Sequence, residues 1–96
     1  MAAVSIHSFS RRRTHASLIG SFDDQNAEFL ADHLDELEGD VLLDCDRLEA
    51  LDGRAARVLL GFRAALRRRG RQLMLRSVPS ACRTVLMRQA RRFTHC

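Results

Sequence analysis

Apolar residues recur with two different periods along this chain. Val4, Ile6 and Phe9, then Ala16, Leu18 and Gly20, form short alternating runs on either side of Ser10-Arg11-Arg12-Arg13. Alternation at every second residue is the mark of a strand with one covered face, so two strands joined by a basic turn are expected. The opening stretch lacks acids up to Asp23 and is rich in Arg and Ser, which is also the composition of an organellar transit peptide, but the alternation favours strands. From Gln25 to Glu38 the period lengthens: Ala27, Leu30, Ala31, Leu34 and Leu37 make one stripe at three- and four-residue spacing, with Asp32, Asp35, Glu36 and Glu38 outside it. That predicts a helix, with Asp23 or Asp24 able to accept from its free N–H groups and Gly39 suited to its end. Phe29 falls off the stripe, as a partly covered ring or as a contact for a partner.

The stretch Val41-Leu42-Leu43-Asp44 reads as a buried central strand. Cys45-Asp46 follows, then a second short hydrophobic step, Leu48, Ala50 and Leu51, and then Asp52-Gly53 opening a long basic helix. The helix stripe is Ala55, Val58, Leu59, Phe62, Ala65 and Leu66, with Arg54, Arg57, Arg63, Arg67 and Arg68 on the other faces. Asp52 fits the N-terminus as a cap, and Arg at the far end complements the helix dipole. Gly70 stops the helix, Leu73, Met74 and Leu75 give a short strand, and Ser77-Val78-Pro79-Ser80 starts a third helix. On that helix Cys82, Val85, Leu86 and Phe93 share a face. The predicted order is strand, strand, helix, strand, helix, strand, helix. Crossovers between parallel strands carry the helices against the sheet, so the fold class is α/β: a four-stranded mixed sheet with three helices packed mainly on one face. A chain of 96 residues accommodates one domain, residues 1–96, with a modest core. No run approaches the roughly eighteen apolar residues that a membrane span needs.

Charge changes this picture because it is segregated. All sixteen basic residues are Arg; the twelve acids all lie between Asp23 and Asp52, and Gly53 to Cys96 carries Arg without any acid. The net charge of +4 therefore hides a dipole, either neutralised between packed helices or presented as a two-signed docking surface. Cys45, Cys82 and Cys96 make no C-x-x-C pair, and Cys45 and Cys82 fall on apolar positions, which suits buried thiols in a reducing, cytoplasmic compartment. His7, His15, His33 and His95 lie on separate elements with no ligand spacing, so no metal or other cofactor is expected.

Several motifs, in order, resemble the STAS domain, the fold of bacterial anti-sigma factor antagonists and of related modules in lipid and sulfate transport. Asp44-Cys45-Asp46 stands where that family has Asp-hydrophobic-Ser, and Asp52-Gly53-Arg54-Ala55 where it has Asp-Ser-Ser-Gly or Asp-Thr-Gly-Gly. Gly20-Ser21-Phe22-Asp23 is similar to its Gly-Glu-Leu-Asp, and Arg69-Gly70-Arg71-Gln72-Leu73-Met74-Leu75 to its Gly-x-x-Leu-x-Leu. The resemblance implies a non-catalytic interaction module that binds an anti-sigma factor, a serine kinase-like partner. Binding would use the loop from Asp44 to Arg54 and the second helix, with Asp23, Asp44, Asp46, Asp52, Gly53, Arg54 and Arg57 as contact residues. In antagonists a Ser or Thr at the start of the second helix is phosphorylated and the added charge breaks the complex. Here Arg54 occupies the acceptor's place, and no Ser, Thr or Tyr occurs between Ser21 and Ser77.

Other function classes fare less well. No Ser-His-Asp or Cys-His motif, phosphate-cradling glycine loop or Glu-x-x-His signature is present, so an enzyme is not expected. Asp23, Asp44, Asp46 and Asp52 could converge as a cation or acid/base site, though Asp is also what strand ends and caps use. Within the same fold an accessory subunit of an ABC-type lipid-transport complex, contacting its ATPase, is the alternative. Nucleic-acid binding by the Arg-rich half lacks Trp or Tyr for stacking and lacks a reading motif.

Overall fold

The computed structural model describes residues 2–94. In chain order they form β1 (Ala3–Phe9), β2 (Arg13–Phe22), α1 (Ala27–Asp35), β3 (Asp40–Asp44), β4 (Leu48–Leu51), α2 (Gly53–Arg68), β5 (Leu73–Arg76) and α3 (Ser80–Thr94). β1 runs antiparallel to β2, while β3 lies parallel to β2 and β5 parallel to β3, giving the order β1-β2-β3-β5. The mixed α/β class and the three helices agree with the sequence reading.

The strand count is corrected from four to five. β2 is ten residues long, and β3 covers it only from Arg13 to Ser17. Beyond that point Gly20–Phe22 offers unpaired backbone, and the hydrophobic step taken above as loop pairs with it in parallel as β4. Leu48 and Leu51 are buried there, with Glu49 and Ala50 exposed between them. Gly20, at φ 91°, stands at the register shift within this pairing, between Gly20 and Ser21, and donates its N–H to the Arg47 carbonyl at 3.1 Å. This strand fastens the C-terminal end of the proposed docking loop to the sheet.

The first helix is shorter than its apolar stripe. α1 stops at Asp35, yet Leu37 beyond it still reaches the core. Gly39, at φ 74°, then turns the chain against the β1–β2 turn, where a Cβ would collide with the Arg12 carbonyl. The expected acidic cap is also revised. Asn26 is the cap residue, without a side-chain capping bond; the Asp23 carboxylate accepts instead from the Gln25 N–H at 2.9 Å, in the turn before the helix.

One face of the sheet, with Ala16, Leu18, Val41 and Leu43, joins Leu30 and Leu34 of α1, Ala55, Ala56, Leu59 and Leu66 of α2, and Cys82 and Leu86 of α3 in a single core. On the opposite face Met74 is 61% exposed. Burying each large aliphatic side chain contributes about 1.5–3 kcal/mol, which fixes α2 across the sheet with its N-terminus at the C-terminal edge of the parallel strands. The place of Phe93's side chain on α3 falls outside the described residues, as does Cys96.

Candidate functional site at the C-terminal edge of the sheet

Asp52 leaves β4 in extended conformation and accepts from the Ala55 N–H at 2.9 Å, so it is the N-cap of α2, as its position predicts. Its own N–H donates to the Phe22 carbonyl at 3.0 Å, which brings the end of β2 and the start of α2 together. Arg54 is therefore set beside the turn before α1. Its guanidinium lies 3.9 Å from Asp24 Oδ1 and 4.0 Å from Glu28 Oε1. The acids nearest in sequence, Asp52 and Glu49, are not its partners: Asp52 is engaged as the cap, and the carboxylates come from Asp24 in the turn before α1 and from Glu28 in α1. Exposed pairs of this length contribute little, typically below about 1 kcal/mol.

One turn further, the Arg57 guanidinium donates to Gln89 Oε1 of α3 at 3.3 Å. Gln89 is buried, and its Nε2 would lie 3.0 Å from a Cβ placed on Gly53. It is a site residue that the sequence reading missed. The available signal was its spacing, three residues after Leu86 and seven after Cys82, which sets a polar residue on the apolar face of α3.

Asp44 and Asp46 form a separate group. The Arg76 guanidinium donates to Asp44 Oδ2 at 2.9 Å and stands 3.5 Å from His15 Nε2 on the uncovered face of the sheet. That bond holds the Asp44 carboxyl below its ordinary value. The Asp46 N–H donates to Asp44 Oδ1 at 3.3 Å. The structure thus gathers Asp23, Asp52, Gly53, Arg54 and Arg57 around the opening of α2, while Asp44 is turned to Arg76 across the sheet edge. Neither Arg76 nor His15 was singled out from sequence.

Reactive chemistry finds little support in this arrangement. Between the groups, the Cys45 thiol is pushed up to about 12 by burial, with the Asp44 carboxylate adding to the effect, so it stays protonated and a poor nucleophile. Among the described residues no group of three or more His, Cys, Asp or Glu is placed to hold a metal ion. Asp23, Asp44 and Asp52 are each engaged by a different neighbour, and what remains is an exposed edge of fixed charges around a capped helix.

Geometry of this kind has known counterparts. A family model described as "Mlab, STAS domain" matches residues 7–90. The chain belongs to the STAS domain family. Among solved structures, the STAS fold here is similar to that of the anti-sigma factor antagonist SpoIIAA in its unphosphorylated form. The TM-score is 0.72 at 17% identity, over 88% of this chain and 82% of that one. It is also similar to an anti-sigma factor antagonist STAS domain from Rhodobacter sphaeroides, with a TM-score of 0.66 at 17% identity, over 94% and 91% of the two chains. A structure named Mglu matches 78% of this chain over 19% of its own length, with a TM-score of 0.65 at 20% identity. No curated protein matches in sequence. At these identities the neighbours establish the STAS fold; the resemblance read from the four sequence motifs is borne out at the level of family and fold.

Proposed function

We propose that this STAS domain is a non-catalytic docking module that binds an anti-sigma factor, a serine kinase-like protein, through the opening of α2 and the adjoining β3–β4 turn. The observation that carries the reading is the exposed Arg54, held at the capped start of α2 by Asp24 and Glu28. Cationic charge at a helix N-terminus is mildly unfavourable, so its placement there is better suited to an acidic contact on another protein than to holding the fold. Asp23, Asp52, Gly53 and Arg57 surround it, and Asp44 and Asp46 extend the contact along the sheet edge. Because no Ser, Thr or Tyr lies between Ser21 and Ser77, the module has no hydroxyl there for a kinase to modify and binds without a phospho-switch. Buried free Cys45 and Cys82 fit a reducing, cytoplasmic setting, and no helix among the described residues is long and apolar enough to cross a membrane.

Calorimetric titration with a cognate anti-sigma factor tests the reading. Binding by the wild type and its loss in Arg54→Asp are expected; absence of binding, or equal binding by the variant, counts against it. The description of the family model as Mlab favours a second reading, an accessory subunit contacting the ATPase of an ABC-type lipid-transport complex. Copurification with that ATPase in place of an anti-sigma factor would select it.

A further inference from the structure

The C-terminal half of α2 carries a surface that the docking edge leaves unused. Leu59 and Leu60 of α2, Leu73 and Leu75 of β5, and Leu86 and Met87 of α3 line a groove of about 330 Å³. Arg63 and Leu73 are shared with a second cleft of about 410 Å³, which Arg67, Arg71 and Gln72 complete. The apolar groove therefore runs directly into an arginine-lined one. Among the described residues Arg63, Arg67 and Arg71 take part in no ion pair. Met87, 55% exposed at the rim, is a side chain that adapts to what is placed against it.

The complementary surface is on the same chain, on the other flank of α2. There Val58 and Phe62 face α1 across a separate crevice, whereas Leu59 and Arg63 face the groove beside α3. The outward side of α1 presents Phe29, 39% exposed, at helical spacing from Asp32 and Glu36, both exposed and, among the described residues, outside any ion pair. An aromatic ring flanked by acids matches an apolar groove flanked by arginines. The charge segregation along the sequence is what creates the pair, since α1 lies in the acidic stretch and the groove in the acid-free one.

We infer that the groove between α2, β5 and α3 receives the α1 face of a second copy of this chain, with Phe29 seated among the leucines and Asp32 and Glu36 against Arg63, Arg67 and Arg71. Unlike surfaces that meet in this way extend into rings or open rows unless the geometry closes reciprocally. The contact is small and charge-steered, so it is weak and falls with salt as the screening length shortens from about 10 Å at 0.1 M to about 3 Å at 1 M.

Sedimentation velocity over a concentration series tests it, with circular dichroism confirming that each variant is folded. The wild type is expected to associate at low salt and to dissociate at 1 M. Phe29→Ala should weaken association roughly thirtyfold, the scale of a central aromatic anchor. The groove variant R63E/R67E and the helix variant D32K/E36K should each be monomeric alone, and their mixture should associate again, because the surfaces each retains fit together and the two charge-reversed surfaces also complement one another. A wild type that stays monomeric at low salt, as it would if the groove were reserved for a foreign acidic helix, overturns the inference. So do association that survives R63E/R67E and a mixture that stays monomeric. None of these residues belongs to the edge around Arg54, so failure here leaves the anti-sigma factor titration unaffected.

Discussion

The two ends of α2 carry the same kind of charge and treat it differently. In the first turns Asp52 caps the helix, Arg54 stands between Asp24 and Glu28, and Arg57 is hydrogen-bonded to Gln89. In the last turns Arg63 and Arg67 lie along an open cleft with no carboxylate in reach among the described residues. The helix dipole favours cations at the C-terminal end and opposes them at the N-terminal end. Arg67 thus sits where it is stable by itself, and Arg54 where Asp24 and Glu28 are needed to offset it. An arginine placed against the dipole and held by neighbours presents its charge at a fixed place; one placed with the dipole and left unpaired is free to follow whatever acid approaches.

The contrast can be broken most strongly from below. Leu59 is fully buried beneath α2, and Leu59→Ala should cost about 3 kcal/mol in chemical denaturation, loosening both ends together. A loss under about 1 kcal/mol would mean that α2 is not anchored by this core.

Alkaline titration comes next. The Cys45 thiol holds its proton up to about 12 in the folded chain against 9.0 ordinarily, and Cys82 is raised by burial in the same direction. A raised value means that the contribution to stability is whole below pH 9 and is lost as pH climbs from there toward 12, at up to about 1.4 kcal/mol per pH unit for one thiol. The sequence contains no Lys or Tyr to titrate in that window, so Cys45→Ala should make the alkaline limb shallower, with Cys82 supplying what remains, and an unchanged limb would show that Cys45 is not a source of it.

Smaller effects then separate the two ends directly. Asp52→Ala removes the cap and should cost about 1 kcal/mol. Arg54→Ala should cost a few tenths of a kcal/mol, the worth of exposed pairs, and Arg67→Ala nothing outside about 0.5 kcal/mol. Equal or reversed thermal shifts for Asp52→Ala and Arg67→Ala would erase the difference between the ends.

Much of this was legible because it rests on local chemistry. The alternation around Ser10–Arg13 marked β1 and β2, the stripe from Ala55 to Leu66 marked α2, and Asp52 before Gly53 marked its cap. β4 was not legible, since what makes Leu48–Leu51 a strand is the surplus length of β2, a partner outside its own stretch. The partners of Arg54 were not legible, because spacing carries no information about Asp24 and Glu28, which a turn of the fold brings across. Gln89 was hidden for a different reason: a polar residue on an apolar stripe looks like an interruption until Arg57 is seen opposite it. The motifs around Asp44 and Asp52 pointed to the family, while the side-chain tie from Asp44 to Arg76 needed the β3–β5 pairing to be known.

The most direct measurement is binding to the proposed anti-sigma factor partner before and after incubation with that protein, ATP and Mg²⁺, for the wild type beside Arg54→Ser. A hydroxyl-free edge should bind equally well on both occasions in the wild type, while Arg54→Ser, which binds more weakly at the outset because the charge is gone, takes up phosphate and loses the binding that remains. Phosphate uptake at this edge by the wild type, with release of the partner, would contradict the account.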